Sequence, residues 1–296
     1  MTAIYIIADI EGSSGCNERT DAQLFNDGWV RACVALSHDI NAIGKSLLAA
    51  GVERVRVKDF HRTGYNIFGE LLDEKIEIDQ GYNASPIPGI GKTCGFELLY
   101  MTGMHAASGS EGFIPHTLTS KFATILVNGR HLTEAELFAS SVAKTGLVPA
   151  FFSGCEIACR QAHTAISGLQ TFTINKPLSE PAETIRANLA AAAVKAISAG
   201  NRQPFTPSGP FAVVIKMRDG NQAAEKLRKT WGLDGSYDEL LFDSPDMESL
   251  YWQLIRIAYL NPFAERHLNS ALTIANISGR LAHLWARRRA KSLKLL

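Results

Sequence analysis

The sequence predicts an α/β protein: a three-layer α/β/α arrangement around a mainly parallel sheet, with a smaller C-terminal α/β unit. Three observations carry this expectation. Short apolar, β-branched runs recur at residues 4–8, 54–59 and 96–103, and each ends abruptly in polar residues. Segments with helical periodicity lie between and after such runs, at 21–50, at about 134–144 and from Glu156 onward. From about Thr171 the pattern changes, and the stretch 200–210, with prolines at 204, 207 and 210, reads as a boundary. The predicted organisation is a catalytic-type α/β domain over 1–200, a smaller α/β unit over 201–262, and a basic helical extension over 263–296.

The first run, Ile4-Tyr5-Ile6-Ile7-Ala8, reads as a buried strand, and it delivers Asp9 and Glu11 into a Gly/Ser turn. Ligands of open α/β sheets sit outside the carboxyl ends of the strands, and residues i and i+2 of an extended chain point the same way. Two acids so placed can converge on a divalent cation; the plainer reading is that they cap the next turn or helix. The helical pattern over 21–50 is closed by Gly51 as a C-cap. The second strand ends in Asp59-Phe60-His61, and a lone histidine there is most simply a solvated loop residue. Residues 74–78 resemble a short strand. The loop at 81–95 is rich in Gly, Pro, Asn and Ser, and its length suggests a functional loop.

The third core strand runs into Met104-His105, followed by a glycine-containing loop that ends in Pro115-His116-Thr117. Residues 122–127 read as a strand closed by Asn128-Gly129, a turn signal. Thr133 is a good N-cap, with Glu134 and Glu136 in the first helical turn, where acids complement the helix dipole. Residues 147–153 form another expected strand. In the second half, 211–217 and 239–242 read as strands, 182–199 and 222–229 as helices, and Ser244 as the cap of a helix reaching Leu260.

The chain has 296 residues, 46% hydrophobic and 20% charged, with a net charge of +1. That balance fits a soluble globular protein and argues against a dedicated nucleic-acid binder. No window approaches the ~20 apolar residues of a membrane span. The N-terminus enters a strand without a basic leader, and the five cysteines are an odd number without C-x-x-C spacing. Free thiols and a cytoplasmic location are therefore expected.

Asp9, Glu11, His61 and His105 follow predicted core strands, and Glu134 opens a helix after one. Carboxylates with imidazoles, and no cysteine, suit a catalytic zinc or manganese site. In two-metal hydrolases a shared acid bridges ions ~3.5–4 Å apart.

The segments Asp9-Ile10-Glu11-Gly12, Asp59-Phe60-His61, Gly103-Met104-His105-Ala106, Pro115-His116-Thr117 and Asn128-Gly129-Arg130 with Thr133-Glu134-Ala135-Glu136 together resemble the DppA-type zinc-dependent D-aminopeptidases, the dipeptide-operon metallopeptidases. Order and spacing agree over roughly residues 1–160, and more loosely to about 260. The resemblance implies two Zn²⁺ per chain. Asp9 matches the family's bridging aspartate; Glu11, His61, His105 and Glu134 match the remaining metal ligands, and His116 matches a catalytic histidine. Such ions would acidify a shared water, while His116 could act as general acid/base or hydrogen-bond the oxyanion. Asp59 is either an acceptor orienting His61 or a simple turn residue. The sequence departs from the family where Asn175-Lys176-Pro177-Leu178 runs almost directly into Ser179-Glu180-Pro181, and Thr133 stands where glycine is usual.

The implied activity is hydrolysis of amide bonds by a dinuclear zinc aminopeptidase acting on short peptides or amino-acid amides, with D-residues as the family's substrates. A metal-dependent amidase or deacylase on a non-peptide substrate shares these residues. A non-catalytic metal-binding assembly subunit is a third reading, and the presence of His116 beside all five ligands speaks against it. The family also implies a ring-like homo-oligomer, a decamer in its best-known form. The extension carries Arg280, Arg287, Arg288, Arg289, Lys291 and Lys294 and, from Arg280 on, no acid. The expectation for it is a helix docked on another subunit or a frayed end, ahead of an anionic surface.

Overall fold

The computed structural model describes residues 2–200 and 202–296. In chain order its regular elements are β1 (Ala3–Ala8), α1 (Asp27–Ala49), β2 (Arg54–Asp59), β3 (Ile76–Asp79), β4 (Leu98–Met104), β5 (Phe122–Val127), β6 (Arg130–His131), α2 (Glu134–Ala143), β7 (Val148–Gly154), α3 (Glu156–Ala165), β8 (Gln170–Thr173), α4 (Ala182–Lys195), β9 (Phe211–Met217), α5 (Gly220–Trp231), β10 (Glu239–Ser244), α6 (Met247–Tyr259), α7 (Pro262–Arg266) and α8 (Leu268–Ser292). Among the described residues no helix is long and apolar enough to cross a membrane.

Six strands form one parallel sheet in the order β3-β2-β1-β4-β7-β8. Every residue of β1 is buried, as a central parallel strand covered on both faces must be. Its alternating side chains feed two cores. Tyr5 and Ile7 pack in the layer holding Leu137, Phe138 and Leu254, while Ile4 and Ile6 pack in the layer holding Trp29, Ile40 and Leu189. That alternation makes the three layers.

From β1 the chain first builds outward to β2 and β3, then returns to the other side of β1 for β4, β7 and β8. The order reverses between β1 and β4, and such a switch point opens a crevice at the carboxyl ends of the two strands.

The second sheet is antiparallel, β10-β9-β5-β6. Strands β9 and β10 come from the 201–262 stretch, and β9 pairs with β5, which with β6 lies between two strands of the parallel sheet in sequence.

Three expectations from the sequence are corrected. The helix expected from residue 21 begins at Asp27, because the Asn26 side chain accepts the Trp29 amide at 2.8 Å, a cap worth about 1 kcal/mol. Residues Arg19–Ala22 instead form a separate 3₁₀ turn. Helix α6 is capped by Asp246, which accepts from the Ser249 amide; Ser244 ends β10. The extension is not a frayed end but a helix, α8, that packs on its own chain. Ala282, Ala286 and Ala290 are buried in the α1 layer, Arg289 forms a bidentate pair with Asp27 at 2.7 and 2.8 Å, and Trp285 stacks on Trp29 with ring centroids 6.1 Å apart.

Candidate metal centre

Strand β1 ends at Ala8, and Asp9 to Gly12 form a turn in the crevice rather than continuing the strand. Two glycines let the ends of β1 and β4 meet backbone to backbone. The Gly12 amide donates to the Gly103 carbonyl at 2.8 Å and the Asp9 amide to the Thr102 carbonyl at 2.9 Å. A Cβ on Gly12 would lie 2.0 Å from the Met104 carbonyl oxygen, and one on Gly103, whose φ is +73°, 2.0 Å from that of Asp9. This close approach sets Asp9 beside His105.

The Asp9 carboxylate faces both ways. Its Oδ1 lies 3.0 Å from His61 Nδ1 and its Oδ2 3.2 Å from His105 Nε2. Glu11 Oε2 is also 3.0 Å from His61 Nδ1, and Glu134 Oε2 is 3.4 Å from His105 Nε2. His116 Nε2 lies 3.8 Å from Glu11 Oε1. Two groups of metal-type side chains result, Asp9 with Glu11 and His61, and His105 with His116 and Glu134, each with its ligand atoms within 4.8 Å of one another.

All six side chains that the sequence singles out thus converge on one spot. Glu134, not Glu136, faces it. The Glu136 carboxylate is occupied by a capping box, accepting from the Thr133 amide and hydroxyl at 3.0 and 2.8 Å. Glu134 Oε1 accepts the Leu118 amide at 2.7 Å, which leaves its other oxygen turned to the cluster.

Each imidazole has one nitrogen beside a backbone carbonyl: His61 Nε2 at 3.1 Å from Ala22, His105 Nδ1 at 3.1 Å from Ala106, and His116 Nδ1 at 3.0 Å from Ile114. A proton held there leaves the opposite nitrogen as a lone pair aimed at the carboxylates, which is how protein structures prepare histidine for a metal. The buried His105 Nε2 and Glu11 Oε2 have no hydrogen-bond partner, although each stands close to an atom of opposite character. Atoms crowded together without hydrogen-bond geometry are what ligands of a shared ion look like, and the donor set of nitrogen and oxygen fits zinc.

The electrostatics agree. Burial alone would raise the Asp9 carboxyl, but the adjacent His105 and His61 imidazoles outweigh it and hold it well below the usual range. Burial would likewise lower the two imidazoles; the charges of Glu11 and Asp9 instead push His61 up to about 10, and those of Glu134 and Asp9 raise His105. The cluster demands positive charge.

Several supporting residues escaped the sequence reading. Lys176, in the segment that departs from the resembled family, donates to the carbonyl oxygens of Ser13 and Cys16. Asp39 on α1 accepts from the Ser14 amide and hydroxyl at 2.8 and 2.5 Å and from Arg186 on α4. Together they lock the turn that carries Glu11. Asp59 does not touch the His61 ring: its carboxylate takes the amides of Asn66 and Ile67 and the Asn66 side chain, and Asn66 Nδ2 then donates to the His61 carbonyl at 2.7 Å. Asp59 shapes the loop, and the ring is oriented by Ala22.

The centre forms the floor of a cavity of about 610 Å³, closed on the far side by α6, α7 and the start of α8. Carboxylates and imidazoles converging at the switch point of a parallel α/β sheet fit the class of metal-dependent hydrolases. The Peptidase_M55 family profile, described as D-aminopeptidase, matches residues 2–252, so the chain belongs to that family and is a metallo-aminopeptidase by class. No curated protein sequence matches it significantly. Among solved structures it is similar to the Zn-dependent D-aminopeptidase DppA from Bacillus subtilis, described as a self-compartmentalizing protease, with 18% identity, 88% of this chain and 97% of that chain covered, and a TM-score of 0.78. That likeness extends the shared fold to the second sheet as well as the first.

Proposed function

We propose that this chain hydrolyses the N-terminal amide bond of short peptides, with D-residues at the N-terminus, at a dinuclear zinc centre held by Asp9, Glu11, His61, His105 and Glu134. The observation that carries this reading is the set of pinned imidazoles, each with its free nitrogen turned to carboxylates that Asp9 links into one cluster. When bound, two zinc ions supply an acidified water and polarise the scissile carbonyl.

The protein's own groups do the rest. His116 Nδ1–H is held by the Ile114 carbonyl, so Nε2 is free to take a proton and later return it to the leaving amine. The apolar lining around Phe60, Ile114 and Leu118 keeps bulk water from competing and strengthens the field inside. The self-compartmentalizing relative and the resemblance to ring-forming peptidases support a homo-oligomer, and the free thiols suit the cytoplasm.

The test is metal content per chain by mass spectrometry on protein purified without chelators, with D-Ala and L-Ala amides and dipeptides assayed on the same sample. Two zinc ions with D-selective cleavage is the expected result. Two ions without amide cleavage removes the activity, and no bound metal removes the mechanism.

A further inference from the structure

The geometry points to the start of α8 as the specificity wall of the metal centre: an apolar subsite for substrates whose residue beside the scissile bond carries a bulky aliphatic or aromatic side chain. This rests on reading the centre as an aminopeptidase site.

Leu268, Ala271, Leu272 and Ala275 all line the cavity whose floor holds Asp9, Glu11, His61 and Glu134. Their spacing of three and four residues puts them on one face of the helix. The face continues through Gly279, Ala282, Ala286 and Ala290, which are buried. One stripe therefore does two things: its C-terminal part docks α8 onto the sheet domain, and its N-terminal part faces the reaction chamber. These residues lie beyond residue 252, where the family match ends.

The wall is held in place. Asn276, next to Ala275, exchanges two hydrogen bonds with the backbone of Tyr82, at 2.9 and 3.0 Å, and Tyr82 itself lines the cavity. Trp252, Ile255 and Leu260 of the preceding segment join the same surface. The charged and polar groups of the cavity outside the metal centre, Arg19 and Arg62 among them, belong to other segments and none to α8, so a polar or charged substrate side chain laid against the α8 face would lose hydration without a partner on it. An aliphatic or aromatic group would gain. The cavity, at about 610 Å³, is within the range of small-molecule sites and roomy for an alanine methyl.

The experiment uses the full chain with its metal, as wild type, as Leu268→Ser/Leu272→Ser, and as Ile277→Ser, an outward-facing control that is 51% exposed. Binding of free leucine and alanine, each as both enantiomers, is measured by calorimetry, and kcat/KM is measured for the corresponding amides. Circular dichroism and metal content confirm that each variant is folded and loaded. Wild type is expected to bind leucine at least about ten-fold more tightly than alanine, and the double variant to bring the two within about two-fold. Ile277→Ser keeps the wild-type ratio. Equal binding of leucine and alanine by wild type, or of neither, overturns the proposal, as does a double variant that keeps the preference or loses both amides in equal measure. If no amide is hydrolysed but the leucine preference and its loss are seen, the wall stands and the aminopeptidase reading falls.

Discussion

The imidazole rings of His105 and His116 lie face to face, with centroids 3.7 Å apart and planes 10° from parallel. Two cationic rings would not share that stack, and the His105 charge and burial both act to lower the His116 imidazole below its ordinary pKa. His116 is thus kept neutral beside a ring that carboxylates draw toward charge. Replacing it with alanine is expected to leave metal content unchanged and to lower kcat by about 10²–10⁴-fold, the usual worth of a positioned acid or base. Metal analysis with steady-state kinetics on His116→Ala decides this; loss of one ion per chain would make His116 a ligand instead.

Asp9 makes the closest link between the two halves of the cluster, at 3.0 Å from His61 and 3.2 Å from His105, whereas Glu11 reaches the second half only at 3.8 Å from His116. Asp9→Ala should therefore empty the centre of both ions, whereas Glu11→Ala should affect one half more than the other. Mass spectrometry of the purified variants gives the stoichiometry directly. Two tightly held ions in Asp9→Ala would refute the bridging role.

Gly103 has φ +73°, and its Cβ would meet the Asp9 carbonyl. Gly103→Ala is expected to cost about 1–3 kcal/mol in stability, as a residue forced into that region and into a backbone contact does. Because the clash falls on Asp9, metal affinity should fall with it. Thermal melting with and without added zinc measures both; an unchanged melt would show that the turn can move aside.

Helix α8 carries a pH-sensitive contact remote from the centre. His283 Nδ1 is 3.0 Å from the Tyr65 carbonyl, its ring lies against Phe68, and Arg287, Asp59 and Glu70 are the charges that act on it. Burial, opposed by the Tyr65 bond, lowers its pKa below the ordinary value. The native state then binds fewer protons than the unfolded one, so the contribution to stability is full above about pH 6.5 and declines as pH falls through the lowered value. Hydrogen exchange at α8 should accelerate between pH 7.5 and 5, after correction for intrinsic rates. His283→Asn should flatten that change, and an unaltered profile would show that His283 does not govern it.

What was readable in advance followed distance along the chain. Asp9, His61 and His105 each follow an apolar run, a weak signal singly that gains weight because it recurs at three strand ends in the order of the resembled family. Glu134 is separated from Glu136 in the sequence only by the register that Asn128-Gly129 sets with the resembled family; the capping box that occupies Glu136 is visible only in the structure. The supports were not readable. Lys176 reaches back to Ser13, and Arg186 meets Asp39 across two helices, with nothing in local periodicity to pair them. The partnership of β5 and β6 with β9 and β10 is hidden for the same reason, and so is the side of the cavity that α8 covers: a helix face lined with small and apolar residues looks the same whether it meets a core or a chamber.

The wall of α8 also bears on the order in which the protein is made. A ribosome has added Asp9, Glu11, His61, His105, His116 and Glu134 before it reaches the midpoint of the 296 residues, but Leu268 and Leu272 come more than a hundred residues later. A growing chain therefore carries all six of these side chains while the helices that close the far side of the cavity are still to be added.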